Sequence, residues 1–184
     1  WLNVRDNDAS GGAQMNATNT ADLGNNTNWG GATDVTAVTI SGRVYEEDGV
    51  TAIASAPVKW RKNGSDIVDI VNTDGSGDYT VSGALLLPGD VVTLFIGGAT
   101  EKSVTMLLIG DSNTITGIDL WRNHVITRAA SGALRPVFGS HFTSGYVSSD
   151  SNMTDVFTYT NNDMTMKSGM KLMVWDQYET AGDI

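Results

Sequence analysis

The chain has no cysteine, so no disulfide stabilises it and no thiolate is available as nucleophile or metal ligand; its stability must come from core packing. Histidine is nearly as scarce. His124 and His141 are the only two, and no Gly-x-Ser-x-Gly elbow accompanies them, so nothing in the sequence groups a nucleophile with its base. No Gly-rich loop opens a helix in the way phosphate binding requires, and no apolar run approaches the length of a membrane span. Charge is sparse and one-sided: Asp, Glu, Lys and Arg make up 17% of 184 residues, with 21 acidic against 11 basic side chains and a net charge of -10. That sign repels phosphate backbones and anionic lipid, which excludes nucleic acid and membrane insertion as expectations and leaves cations as the natural counterpart.

What is present is β-forming. With few charges, the surface relies on Thr, Ser, Asn and Gly, a mixture that suits pleated strands and tight turns. Hydrophobic residues make up 40% of the chain, enough for one core. Trp1 opens the sequence and no signal segment is visible, which predicts a processed product or an excised piece of a longer protein.

The texture divides the chain into three parts. Residues 1–34 form an extension rich in Asn, Gly and Thr and poor in aliphatics, with a short alternating run at Trp1 to Arg5. Standing alone, Ala21 to Gly31 buries too little to offset its ordering entropy; Trp1 and Trp29 point instead to a segment that wraps an adjoining structure. Residues 35–122 alternate with period two, first in Val38 to Tyr45 and then in Ala56 to Lys62, Ser65 to Asn72 and Tyr79 to Ser82. Val91 to Ile96 reads as buried on both faces, and Lys102 to Leu108 and Ile115 to Trp121 complete the series. Asn63-Gly64 is a hairpin signal, and Glu46 to Gly49, Asp74 to Asp78 and Pro88 to Asp90 are turns. Such spacing predicts an all-β sandwich. Residues 123–184 stay β-rich but irregular, with strands expected at His124 to Arg128, Asp155 to Thr160, Met164 to Met166 and Lys171 to Trp175. No amphipathic helix is expected, and Ala129 to Leu134 forms at most a turn.

Three passages carry a family likeness: Ile40-Ser41-Gly42-Arg43-Val44-Tyr45, Thr73 to Gly83 with the pattern T-D-x-x-G-x-Y-x-V-x-G, and Leu87-Pro88-Gly89-Asp90. On these residues the segment Ile40 to Leu120 resembles the prealbumin-like, Ig-like repeats of bacterial surface proteins, including carboxypeptidase-regulatory-like and Cna B-type domains. The resemblance implies an Ig-like antiparallel β-sandwich with β-rich N- and C-terminal extensions, a buried Tyr79, an extracellular or cell-surface setting, and a scaffolding or adhesive role without catalysis. Some members form Lys–Asn crosslinks, but Lys59 stands in the second strand rather than the first, so no crosslink is expected here. The stretch Trp1 to Trp29 is similar to segments that end β-helix-like regions of very long surface proteins.

Candidate site residues follow from side-chain chemistry. Calcium wants six to eight oxygens; Asp6 and Asp8 offer alternating carboxylates, and Asp74 and Asp78 offer two more on a flexible turn. Turn Asp is equally explained by bonds to its own backbone, and neither set fits a twelve-residue calcium loop, so calcium stands as the one cofactor the chain admits. Trp60, Trp121 and Trp175 lie in or beside strands, where an outward ring stacks on a sugar and an inward one fills the core or a subunit contact. Met164 and Met166 share a strand face, suited either to an adaptable protein contact or to an irregular core. Paired carboxylates for glycoside hydrolysis are not distinguishable from turn residues. The sequence therefore predicts a non-enzymatic structural module of a bacterial surface fibre or layer, assembling with copies of itself or neighbouring repeats through its terminal segments. The alternative is a glycan-binding or host-adhesion module, with calcium as the ion it would use.

Overall fold

The structure, a computed structural model, describes residues 2–4, 15–22, 29–34, 37–65, 69–98, 102–130 and 138–175. The chain divides into two compact units, Trp1–Ala37 and Val38–Ile184.

The first unit holds a three-stranded sheet of β1 (Leu2–Val4), β2 (Met15–Asp22) and β3 (Trp29–Asp34), in that order. Both pairings are parallel, with Leu2 beside Thr20 and Met15 beside Trp29. Successive strands that pair in parallel require the chain to return to the same end each time, so the path is a coil rather than a meander. Sequence pattern located β1 but not β2: Met15 to Asp22 carries too few apolar side chains to show a strand by alternation.

The second unit contains β4 (Ala37–Tyr45), β5 (Pro57–Lys62), β6 (Asp69–Asn72), β7 (Asp78–Leu85), β8 (Val91–Ile96), β9 (Ser103–Leu108), β10 (Thr114–Ile115), β11 (Leu120–Trp121) and β12 (His124–Ala129). These are followed by α1 (Phe138–Gly145), α2 (Ser151–Thr154), β13 (Phe157–Thr160), β14 (Asp163–Met166) and β15 (Lys171–Val174). A six-stranded sheet runs β15-β12-β9-β8-β5-β6. A smaller sheet is built on β4, which pairs β7 and, in succession along its length, β10 and β11.

The two sheets share a core. Val38, Ile40 and Val44 of β4 and Tyr79 and Val81 of β7 pack with Val58 and Trp60 of β5 and Val92, Leu94 and Ile96 of β8. Alternation along β4 fails at Gly42 for a steric reason: a Cβ there would stand 2.0 Å from the Ile118 carbonyl oxygen. Only glycine lets the segment between β10 and β11 approach β4 so closely. Tyr79 is buried, and its hydroxyl donates to the Ile118 carbonyl. At the Asn63-Gly64 turn both residues adopt positive φ, and Ser65 N–H donates to Lys62 C=O at 2.9 Å, joining β5 to antiparallel β6.

The all-β class holds, with two corrections. The strands are not uniformly antiparallel: β5, β6, β8 and β9 are, but β12 lies parallel to both β9 and β15, and β10 and β11 lie parallel to β4. After β9 the chain crosses to the small sheet as β10 and β11 before returning as β12. After β12 it crosses the opposite face of the large sheet before returning as β15. Each crossover brings the next strand back in the same direction. Nor is the chain without helix. Residues 138–145 (FGSHFTSG) lack strong helix formers, so α1 depends on tertiary contact. Phe142 is buried, Thr93 Oγ1 donates to the Gly145 carbonyl at 3.0 Å, and a Cβ on Gly145 would come within 2.7 Å of that hydroxyl.

That second crossover makes a cap. Phe142, Met153, Val156 and Phe157 cover Phe95, Val104, Met106 and Val125 of the large sheet, which is why β8 and β9 are buried at every position. Arg61 of β5 fixes the cap by charge: its guanidinium donates to Asp150 Oδ2 at 2.6 and 3.2 Å, both side chains being nearly inaccessible. Asp150 also caps α2, its Oδ1 accepting from Asn152 N–H at 2.9 Å. Burial pushes the Asp150 carboxyl pKa up, but the hydrogen bonds from Arg61 and Asn152 outweigh it and hold the carboxyl below its ordinary value.

Candidate interaction surface

Where β11 runs beside the end of β4, Trp121 pairs with Tyr45. Asn123, at positive φ, then turns the chain into β12 and its partner β15. This path collects aromatic rings from distant parts of the sequence. Trp121 meets Tyr45 at 6.5 Å, His124 at 5.7 Å and Trp175 at 6.2 Å between centroids, all edge-on. Gly49 covers the six-membered ring of Trp121 closely, since a Cβ there would lie 3.1 Å from it. Cations close both ends of the row: Arg43 lies 6.0 Å from the Tyr45 centroid and Arg128 lies 5.1 Å from that of Trp175. His124 Nδ1 sits 2.8 Å from the Arg122 carbonyl oxygen, which only accepts, so Nδ1 carries the proton.

Charge pairs tie this row to its surroundings. Lys171 Nζ lies 2.7 Å from Glu47, and Asn123 donates to the same carboxylate at 2.9 Å; together they hold the Glu47 carboxyl below its ordinary pKa. At the Tyr45 end, Arg43 bonds both oxygens of Asp78 at 2.7 and 2.8 Å, raising its own pKa and lowering that of Asp78. Its backbone N–H donates to Asp119 at 2.9 Å. Arg43, Tyr45, Asp78, Thr80 and Asp119 line an open cleft of about 390 Å³.

The other end of the row is β15, the outermost strand of the large sheet among the described residues. Leu172, Val174 and Trp175 are 42%, 47% and 48% exposed. Lys171 N–H donates to Asn123 C=O at 2.8 Å and Trp175 N–H to Thr127 C=O at 3.1 Å. Residues 171, 173 and 175 therefore turn their backbone groups toward β12, and the N–H and C=O of Leu172 and Val174 point away from it. The opposite edge, β6, is blunted: Asp69 Oδ1 accepts from Ile70 N–H at 2.7 Å, occupying a donor a further strand would need.

The structure thus brings Trp121 and Trp175 together and separates them from Trp60, which is 4% exposed in the core and has no face to offer a ligand. Met164 and Met166 are partly buried against the chain's own second core, opposite Tyr159 and Phe157 in the hairpin register. Asp74 closes its own turn, accepting from Ser76 N–H at 2.7 Å and Asp78 N–H at 3.0 Å. Asp78 is engaged by Arg43, and the described residues hold no group of three or more His, Asp or Glu suited to a metal. Asp6 and Asp8 lie outside the described residues. Tyr45, Arg43, Leu172 and Val174 were not singled out from sequence; the apolar density of Lys171 to Trp175 was the available signal. Among the described residues no helix is long and apolar enough to cross a membrane. No protein-family model matches the chain, and no curated protein matches its sequence.

Proposed function

We propose that this protein is a non-enzymatic, extracellular structural module with an Ig-like, prealbumin-like sandwich, which joins copies of itself or neighbouring repeats in a bacterial surface fibre or layer. The observation that carries the reading is β15. An edge strand whose outward backbone groups have no partner among the described residues, and which carries exposed Leu172, Val174 and Trp175, is a template for another strand, and monomers ordinarily blunt such edges. The two edges differ in their backbone: on β6 the outward Ile70 N–H is engaged by the Asp69 carboxylate, and on β15 no side chain among the described residues takes the outward N–H groups. The parallel coil of the first unit supports the reading separately, because coils of this kind stack one circuit on the next.

Sedimentation velocity of the full chain over a wide concentration range tests it. The reading predicts reversible self-association, with extended or paired particles in electron micrographs. A monomer at every concentration removes it.

A second reading rests on the cleft beside Tyr45. Carboxylates, an Arg and Thr80 near an aromatic ring form a donor and acceptor set suited to a sugar. Glycan-array binding that weakens with Tyr45→Ala favours this reading. A blank array, with and without calcium, discards it.

A further inference from the structure

Resting on the assembly reading, we infer that β15 pairs with β15 of a second copy of this chain, antiparallel, about a two-fold axis through Met173. The outward groups of the strand are self-complementary. In an antiparallel ladder, residues that exchange both hydrogen bonds are those whose N–H and C=O point at the neighbour. On β15 these are Leu172 and Val174. Placing Leu172 opposite the partner's Val174 lets each pair exchange both bonds, and the symmetry repeats the exchange on the other side of the axis. A register shifted by one residue would set an outward-facing residue against one already bonded to β12.

Side chains agree with this register. Leu172 and Val174 project from the face that carries Val125, the register partner of Leu172 and a member of the second core. Pairing would lay them against the same residues of the other copy and continue that core across the axis. On the opposite face Met173 meets its own counterpart, and Lys171 comes beside the partner's Trp175. Lys171 is the only charge in Lys171 to Trp175. Symmetry sends the two copies of it to opposite ends of the ladder, each paired with Glu47 of its own chain, so the two ammonium groups do not face each other. The blunted β6 edge is a poorer complement, since its Ile70 N–H is already engaged. A contact of this kind is closed, joining chains in pairs and leaving fibre growth to another surface.

The absence of cysteine gives a direct test. Met173→Cys would place one thiol from each copy in a non-hydrogen-bonded antiparallel pair, where Cα atoms lie roughly 4.5 Å apart, within the roughly 4.4–6.8 Å that a disulfide spans. Under a mild thiol oxidant, Met173→Cys should become a covalent dimer, whereas Leu172→Cys and Val174→Cys alone should remain largely monomeric. Adding Val174→Pro to Met173→Cys removes an outward N–H without touching the bonds to β12 and should abolish the crosslink while circular dichroism stays unchanged. If the wild-type chain self-associates but Met173→Cys does not crosslink, or all three variants crosslink equally, this register is wrong and the assembly reading survives. If the wild-type chain stays monomeric and Met173→Cys does not crosslink, both fail together.

Discussion

The two faces of the large sheet are covered by different means. On one face the small sheet supplies Val38, Ile40, Val44 and Val81, aliphatic side chains delivered by strands that alternate in sequence. On the other, short helices and the β13–β14 hairpin supply Phe142, Met153, Val156 and Phe157, delivered by a segment without regular period. The first face needs only strand geometry. The second needs particular large side chains and a buried ion pair to hold an irregular layer in place. The difference teaches that the cap should detach more readily than the sandwich comes apart, and that its removal would expose β8 and β9.

The largest way to break that contrast is to delete one member of the buried pair. Asp150→Ala strips the buried Arg61 charge of its carboxylate and leaves it the bond to the Ser65 carbonyl at 2.6 Å; it should destabilise the chain by about 3–5 kcal/mol in denaturant melts. Arg61→Met combined with Asp150→Leu should recover most of the loss. Core truncations come next. Leu94→Ala on the sandwich face should cost about 2–5 kcal/mol and Phe157→Ala on the cap face about 3–5 kcal/mol, but their character should differ. Limited proteolysis should cut Phe157→Ala within residues 138–170 while the sandwich stays intact, whereas Leu94→Ala should unfold as a whole.

Acid sharpens the comparison further. The Asp150 carboxyl lies below its ordinary pKa of about 3.9 when folded. Its contribution is therefore complete above that value and is lost as pH falls through the lower folded pKa. Melts at decreasing pH should show the cap loosening in that acid range, with the effect absent in the Arg61→Met, Asp150→Leu double variant. The smallest effect belongs to Asp78→Asn: the pair with Arg43 is solvent-exposed, so the melting midpoint should shift little beyond measurement error.

Legibility in sequence followed the same division. Strands β4, β5, β7, β8 and β9 showed themselves because alternating or wholly apolar runs record which faces are buried, and Asn63-Gly64 announced its turn by the positive φ it requires. The parallel pairings were hidden: direction is set by which face a crossover takes, and no residue pattern records that. Helix α1 was hidden because FGSHFTSG is a helix by contact rather than by propensity. The Trp121 cluster was partly visible, since the sequence offered three candidate tryptophans without saying that Trp60 points inward. Its other members, Tyr45 and Arg43, are brought in by the parallel register of β11 on β4, which sequence does not reveal. The edge at Leu172 and Val174 showed as excess apolar content but not as an outermost strand, because strand order is a property of the assembled sheet.

Residue-resolved hydrogen exchange in dilute and concentrated protein tests most directly whether β15 is a contact surface. The amides of Leu172 and Val174 should exchange rapidly when dilute and become protected as concentration rises, while those of Lys171 and Met173, bonded within the sheet, stay protected throughout. Association that leaves Leu172 and Val174 as exposed as in the monomer would contradict the account.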